Sequence, residues 1–557
     1  MPARHRRSIL PVWAALSALL LAVAVAGAHA QEPAIARGAV YLDRNENGVR
    51  DRGESGIQDV KVSNGRDVVK TDRQGRYAIP LPPESILFLS KPARYRVPLD
   101  EANLPQFYYI HYPNGTPAIV EWRWPVIEPT GPLPASIDFA LLPGETKDKF
   151  TALAFADPQT ADDEDLDMMR KDIVDPLVGN PFEALFGVVA GDVMNDNLSL
   201  YERHNRLMAM IGVPMWNVPG NHDLNYQSPN NDYATETFKS VFGPDYYSFD
   251  YGRVHVLALN NVDWRGSGNG YRGFLHARQL EWIRNDLADI PRDRLILIVT
   301  HIPLVTNALD ENGERNSLGE DINTVNLAAL LELLEPFRNV YAIAGHDTSN
   351  SWKVEVNHTH GWRGYPFISH TLAEARGGGW TLGPRDERGV RPATMADGNP
   401  NGFYVLSFDG AKMTPRFVPS DEPDGRRMRV TLDPPLIVPG DARDAQLDRG
   451  GQPDGAKAVV NLYDGGERDR ITVSLDGAKP VALKNVLRTD PHMEQLYRQY
   501  EGTSDAYARP VPSSHIWEFD LPPLAPGVHS LAFDAVDEFG LTASETFTFE
   551  ITAPPKP

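Results

Sequence analysis

Five short apolar runs in this chain each end in polar residues that can hold a metal ion or move a proton. Phe150 to Ala156 ends at Asp157-Pro158-Gln159, and Leu185 to Ala190 ends at Gly191-Asp192. Val213 to Val218 leads into Pro219-Gly220-Asn221-His222-Asp223, Leu295 to Thr300 into His301, and Val340 to Ala344 into Gly345-His346. Each run has the length and β-branched content of a strand. The polar groups therefore fall where strands end and loops begin, the usual place for ligands in α/β sheets. Carboxylate, amide and imidazole groups gathered at such ends can hold metal ions, which act as Lewis acids and acidify bound water. Imidazole and carboxylate ligands without thiolate suit Mn, Fe or Zn. His222, next to Asn221, has the chemistry to protonate a leaving oxygen or to hydrogen-bond a phosphate oxygen.

In their order, these motifs resemble the calcineurin-like metallophosphoesterase superfamily, whose pattern is D-x-H, G-D, G-N-H-D, an isolated His and G-H-x-H. The resemblance covers about Asp148 to Asp409 and implies a four-layer αββα sandwich. It also implies hydrolysis of a phosphate mono- or diester by attack of a metal-bound water. Carried over residue by residue, Asp157 would bind the first of two divalent or trivalent ions and Asp192 would bridge both. Asn221, His301 and His346 would complete the second site, and His222 would be the catalytic histidine, steered by Asp223. Two positions depart from the pattern, both at the first metal: Gln159 replaces the histidine of D-x-H, and Thr348 the second histidine of G-H-x-H. A neutral amide and a hydroxyl make that site the weaker one, unless Asp347, His358 or His360 swings in.

The elements that must position these groups follow from the rest of the chain. Arg4, Arg6 and Arg7 precede the apolar segment Ile9 to Ala26 and then Ala28-His29-Ala30, which reads as a signal peptide over residues 1–30 and a periplasmic or secreted protein. Arg6-Arg7 also fits twin-arginine export. The chain has a net charge of −21; without residues 1–30 it keeps 51 basic against 75 acidic residues, a charge of −24. Such a surface argues against nucleic acid and leaves a phosphorylated small molecule or a cell-envelope phosphoester as substrate. With 0 cysteines, no disulfide is available. Beyond the signal segment, no apolar run is long enough to cross a bilayer.

Residues 31–147 read as a small β-sandwich, with strands at Gly38 to Leu42, Val60 to Ser63, Asp67 to Thr71 and Tyr77 to Leu81. Within it, Asp43, Asn45, Asn47, Val49, Asp51 and Glu54 occupy positions 1, 3, 5, 7, 9 and 12 of a calcium loop, with Gly48 at position 6. The flanks are strand-like, so the expectation is a calcium-stapled β-module. Pro143 to Lys149 links it to a catalytic domain spanning 148–426.

In that domain Gln279 to Ile290 and Leu327 to Leu334 carry helical apolar stripes. The long polar segments Leu224 to Ala234, Val262 to Gly273 and Gly377 to Gly398 are expected to shape a substrate site, with Trp380 as a stacking or anchoring ring. Residues 427–557 return to short strands and turns, a second all-β sandwich. Both flanking regions resemble the accessory domains of one phosphoesterase subgroup. The reading is an exported metallophosphoesterase; the two substituted ligands also permit a surface-binding protein on a phosphoesterase scaffold.

Overall fold

Alternation along the strand Lys149–Phe155 shows how the centre of the protein is layered. Ala152 and Ala154 face one core, while Leu153 and Phe155 face another. Since strand side chains alternate at period 2, a strand apolar on both faces must lie between two packed layers. This strand sits in the middle of a five-stranded sheet ordered Met215–Asn217, Ala184–Val189, Lys149–Phe155, Gly402–Asp409, Lys412–Pro419. The first three are parallel and the last two antiparallel. A six-stranded sheet runs Tyr247–Tyr251, Val254–Ala258, Leu295–Val299, Asn339–Ala344, Phe367–Thr371, Trp352–Val356, with four parallel strands inside.

The computed structural model describes residues 34–307, 319–376, 383–420, 425–435 and 452–552. Residues 1–30, expected to be a signal peptide, and Trp380 lie outside them. Between the sheets, Phe186, Trp216 and Phe249 belong to one core, and Trp216 stacks on Phe249 at 4.2 Å across the layers. Such an offset pair adds roughly 0.5–1.5 kcal/mol to its area burial. Outside the five-stranded sheet lie Asp163–Met169, Tyr201–Ala209 and Glu236–Phe242, whose Leu166, Tyr201, Met208, Phe238 and Phe242 meet Leu153, Phe155 and Val189. Ala277–Leu287 and Leu327–Leu334 bring Trp282, Ile283, Leu330 and Leu334 into the core that contains the six-stranded sheet. The result is the four-layer αββα sandwich. No helix of the described residues is long and apolar enough to cross a membrane.

Two β-rich modules flank it. The N-terminal one has two four-stranded sheets, including Ile35–Leu42 and Ser85–Leu89. It joins the centre through apolar and ionic contacts: Phe107 lies 5.1 Å from Trp216, and Lys61 pairs with the fully buried Asp286 at 3.2 Å. The C-terminal module pairs two further four-stranded sheets, with Lys457–Leu462 and Arg470–Leu475 at their centres. Buried imidazole–carboxylate pairs hold it to the centre, His370–Asp464 at 2.8 Å and His515–Asp397 at 2.9 Å.

One expected loop is a structured element. Val262–Trp264 pairs antiparallel with Tyr271–Gly273, so the segment 262–273 is a hairpin rather than an irregular loop. The helix expected from Gln279 begins at Ala277 and ends at Leu287.

Candidate metal centre

The chain places its expected ligands in conformations that side chains ordinarily avoid. Asp157, Gln159, Asp192 and His346 all have positive φ, at 50°, 43°, 48° and 78°. Non-glycine residues in this region cost of order 1–3 kcal/mol each and persist where the surroundings over-determine them. Glycines beside them permit the close approach. A Cβ on Gly220 would stand 2.1 Å from Asp192 Oδ1, and one on Gly345 2.3 Å from Asp157 Oδ2.

Asp192, His301 and His346 bring ligand atoms within 4.8 Å of one another. Four acceptor-capable atoms converge here. His301 Nε2 lies 3.2 Å from Asp192 Oδ1, 2.9 Å from Asn221 Oδ1 and 3.1 Å from His346 Nδ1. The other nitrogen, His301 Nδ1, donates to the Ala190 carbonyl at 3.0 Å, which fixes the tautomer and turns the Nε2 lone pair inward. Without a metal, a proton on His301 Nε2 can sit among these atoms; a cation takes the place of that proton and engages all four. The electrostatics agree. Burial would lower the His301 pKa, yet Asp192 and Asp157 outweigh it and raise it to about 9. His346, buried and facing His301, is pushed down to about 3, a ligand that stays neutral. The donor set of one carboxylate, one amide and two imidazoles fits a divalent ion of borderline softness.

A second position lies beside it, with a poorer donor set. Asp157 is buried, and both its oxygens accept the His346 N–H at 2.9 Å. Burial pushes its pKa up, with His301 opposing. The Gln159 amide nitrogen donates to Asp192 Oδ2 at 3.1 Å, so this residue does reach the shared carboxylate. Two of the proposed rescuers, Asp347 and His360, are engaged within their own turns. Asp347 accepts from the Ser349 and Asn350 N–H groups at 3.0 and 3.1 Å, and His360 accepts from Asn357 N–H at 3.3 Å within its own turn.

His222 is oriented differently from the sequence expectation. Its Nδ1 lies 2.8 Å from Asp196 Oδ1, and its backbone N–H donates to Asp192 Oδ1 at 2.8 Å. Burial would lower its pKa, but Asp196 and Asp192 raise it above the ordinary value. Asp223 does not steer this ring. Asp223 is fully buried and accepts from Gly220 and Val193 N–H on Oδ2 (2.8 and 3.0 Å), and from Met194 N–H and the Tyr201 hydroxyl on Oδ1 (3.1 and 2.8 Å). It therefore ties the loop carrying Asp192 to the loop carrying Asn221.

Sequence reasoning passed over several neighbours. Tyr226 donates from its hydroxyl to the Asn221 carbonyl at 2.7 Å, and the Tyr271 ring lies 5.8 Å from His346. Trp264 joins the 224–234 loop to the hairpin, its ring N–H donating to Ser228 O at 2.7 Å. Arg376 and Glu374 are buried, 3.8 Å apart, and the Arg376 charge acts on Asp157. The only sequence signal for that pair was a Glu-x-Arg inside an otherwise apolar stretch.

Three family profiles match the chain: Calcineurin-like phosphoesterase over residues 150–350, N terminal of Calcineurin-like phosphoesterase over 44–121, and C terminal of Calcineurin-like phosphoesterase over 371–542. Among solved structures, the chain is similar to purple acid phosphatase PPD1 from yellow lupin (Lupinus luteus) seeds, at 13% identity and a TM-score of 0.36, over 71% of this chain and 68% of that one. No curated protein matches it. With a central domain and both flanking modules accounted for, the chain belongs to the calcineurin-like phosphoesterase family, in the subgroup that carries N- and C-terminal accessory domains.

Proposed function

We propose that this protein is an exported phosphoesterase that hydrolyses a phosphate mono- or diester with two metal ions. The observation that carries the reading is the convergence of Asp192, Asn221 and His346 on His301 Nε2, four donor atoms close enough to share one cation. Asp192, Asn221, His301 and His346 would hold one ion, and Asp157, Gln159 and the shared Asp192 the other. Bound there, such ions supply Lewis acidity toward phosphate oxygens and lower the pKa of water.

The chain's own residues do the rest. The Asp196 carboxylate holds His222 by Nδ1, so proton donation to the leaving oxygen, or a hydrogen bond to a phosphate oxygen, falls to Nε2. Asp223 and Tyr226 keep the two ligand loops in register. Tyr226, Trp264 and Tyr271 form an aromatic wall beside the ligands, suited to an organic group on the phosphate. The charge of −21 disfavours polyanions and leaves small phosphorylated molecules or cell-envelope phosphoesters as the substrate class.

The test is hydrolysis of aryl phosphate mono- and diesters, nucleotides and phospholipid head groups by chelator-washed protein with Mn, Zn or Fe added back. Turnover that appears with metal and is lost in His301→Ala supports the reading. Binding of such compounds without turnover under every metal would overturn it in favour of a binding scaffold.

A further inference from the structure

The segment Asp43 to Glu54 plays no part in the phosphoesterase chemistry, yet it concentrates oxygen atoms. It closes the end of the strand Ile35–Leu42: Leu42 N–H donates to Ser55 O at 2.9 Å and Ile57 N–H to Val40 O at 2.8 Å, so twelve residues bulge from a two-stranded neck. Within the bulge, Gly48 has φ 74° and donates its N–H to Asp43 Oδ2 at 2.8 Å. Asn47 N–H donates to Asn45 Oδ1 at 3.3 Å, and Val49 N–H to Asn47 Oδ1 at 2.8 Å. Both amide groups reach Asp51 Oδ2, at 2.8 Å from Asn45 and 2.9 Å from Asn47. Glu54 folds back across the loop, accepting Arg44 N–H on Oε1 at 2.8 Å and Asp51 N–H on Oε2 at 3.0 Å.

One atom cannot be explained by a simple turn. Asp43 is fully buried, and its Oδ1 has no hydrogen-bond partner. A buried carboxylate oxygen without a partner costs about 1–3 kcal/mol or more, because it has given up water for nothing. Its sister oxygen is bonded to the loop glycine, so Oδ1 belongs to a carboxylate held inside the loop. None of Asp43, Asp51 and Glu54 forms an ion pair with a lysine or arginine among the described residues; the loop's Arg50 lies instead over the Tyr41 ring at 6.0 Å, and Arg96 pairs with Glu46. The loop carries four carboxylates and three arginines, Arg44, Arg50 and Arg52, and the three carboxylates at ligand positions, Asp43, Asp51 and Glu54, are left for a cation to neutralise.

We propose that residues 43–54 bind a calcium ion through Asp43, Asn45, Asn47, the Val49 carbonyl, Asp51 and Glu54, and that this ion braces the N-terminal module. The donor set is all oxygen, which selects hard cations, and its flexible spacing favours calcium over the smaller magnesium. Three carboxylates and two neutral amides make a modest charge count, which places the affinity at a Kd of about 10⁻⁴–10⁻³ M, the range of extracellular modules.

The experiment is calorimetric titration of the full chain with calcium chloride after its phosphoesterase site has been saturated with Mn, repeated on Asp51→Ala and Glu54→Gln. Asp51 is exposed, so its removal leaves the fold intact even if a change at the buried Asp43 would not. The expected result is one calcium equivalent per chain in the parent and at least tenfold weaker binding in both variants, with aryl phosphate turnover unchanged. A rise in the melting temperature of the parent with calcium, absent from Asp51→Ala, accompanies it. Equal calcium binding in parent and variants would overturn the proposal, because the ion would then sit elsewhere. No binding to the folded parent up to 10-fold above the upper Kd, about 10 mM, would overturn it as well.

Discussion

Replacing Asp196 by asparagine separates the carboxylate that touches His222 from the one next to that histidine in the chain. The lost interaction is a charged hydrogen bond of 2.8 Å to His222 Nδ1. Such bonds contribute roughly 1.5–3 kcal/mol. The Asp196 side chain is 47% exposed, and solvent screening puts it at the lower end. At 1.36 kcal/mol per decade, about 1.5–2 kcal/mol corresponds to a kcat roughly 10–30-fold lower, with metal content and melting temperature unchanged. The pH profile should move as well. Asp196 helps raise the His222 pKa, so removing its charge lowers that pKa; if His222 donates a proton, the fall of activity at alkaline pH begins at lower pH in the variant. Asp223→Asn should behave in the opposite way. An amide nitrogen there would face backbone N–H donors that now have a carboxylate, leaving buried donors unsatisfied at about 1–3 kcal/mol each, so metal content and thermal stability should fall together. The assay is steady-state hydrolysis of an aryl phosphate across pH, with metal analysis and melting curves for each protein. Wild-type turnover in Asp196→Asn, alongside a stable, metal-replete but slow Asp223→Asn, would refute the assignment.

The two metal positions should be unequal: in chelator-washed protein the Asn221–His301–His346 site should retain or regain one equivalent tightly, and the Asp157–Gln159 site should fill only at higher Mn, with activity following the second filling. Two equally tight equivalents on titration would contradict this. Asp192→Asn should abolish activity more completely than Gln159→Ala, since it lies in both donor sets; metal content and kcat measured in parallel test it. In the C-terminal module, burial would raise the Asp464 pKa, but His370 and Lys353 outweigh it and hold it at about 2. Its contribution to stability, about 2–3 kcal/mol, is present above the ordinary carboxylate pKa and is lost as pH falls through about 2. Asp464→Asn should therefore flatten the loss of stability between about pH 4 and 2, measured by denaturant melts. Finally, N-terminal sequencing of the exported protein should begin near Gln31; a mature chain retaining Leu19 to Val25 would exclude cleavage there.

Much of the centre could be read directly from the chain, because its ligands follow buried strands. Asp157, Asp192, Asn221, His301 and His346 each come after an apolar run of strand length, and parallel strands present their C-terminal ends on one side of a sheet. The hairpin at 262–273 escaped notice because strands of three residues are too short for alternation to show, and Gly266, Gly268 and Gly270 imitate a loop. Arg376 and Glu374 gave almost no signal, since a buried charged residue reads in sequence like an exposed one.

The sequence by itself determined which residue types arrive at strand ends, that two of the family's histidines are replaced by Gln159 and Thr348, and that a twelve-residue loop carries its oxygens at calcium spacing. All of these are properties of order and composition. Tertiary structure alone decided who touches whom. Asp223 adjoins His222 in the chain, but Asn221–Asp223 is a tight helical turn whose successive side chains point about 120° apart, so adjacency sent Asp223 inward to the loop amides and left His222 to a carboxylate 26 positions away. Side-chain direction follows from backbone geometry and packing, which a linear order of residues does not contain.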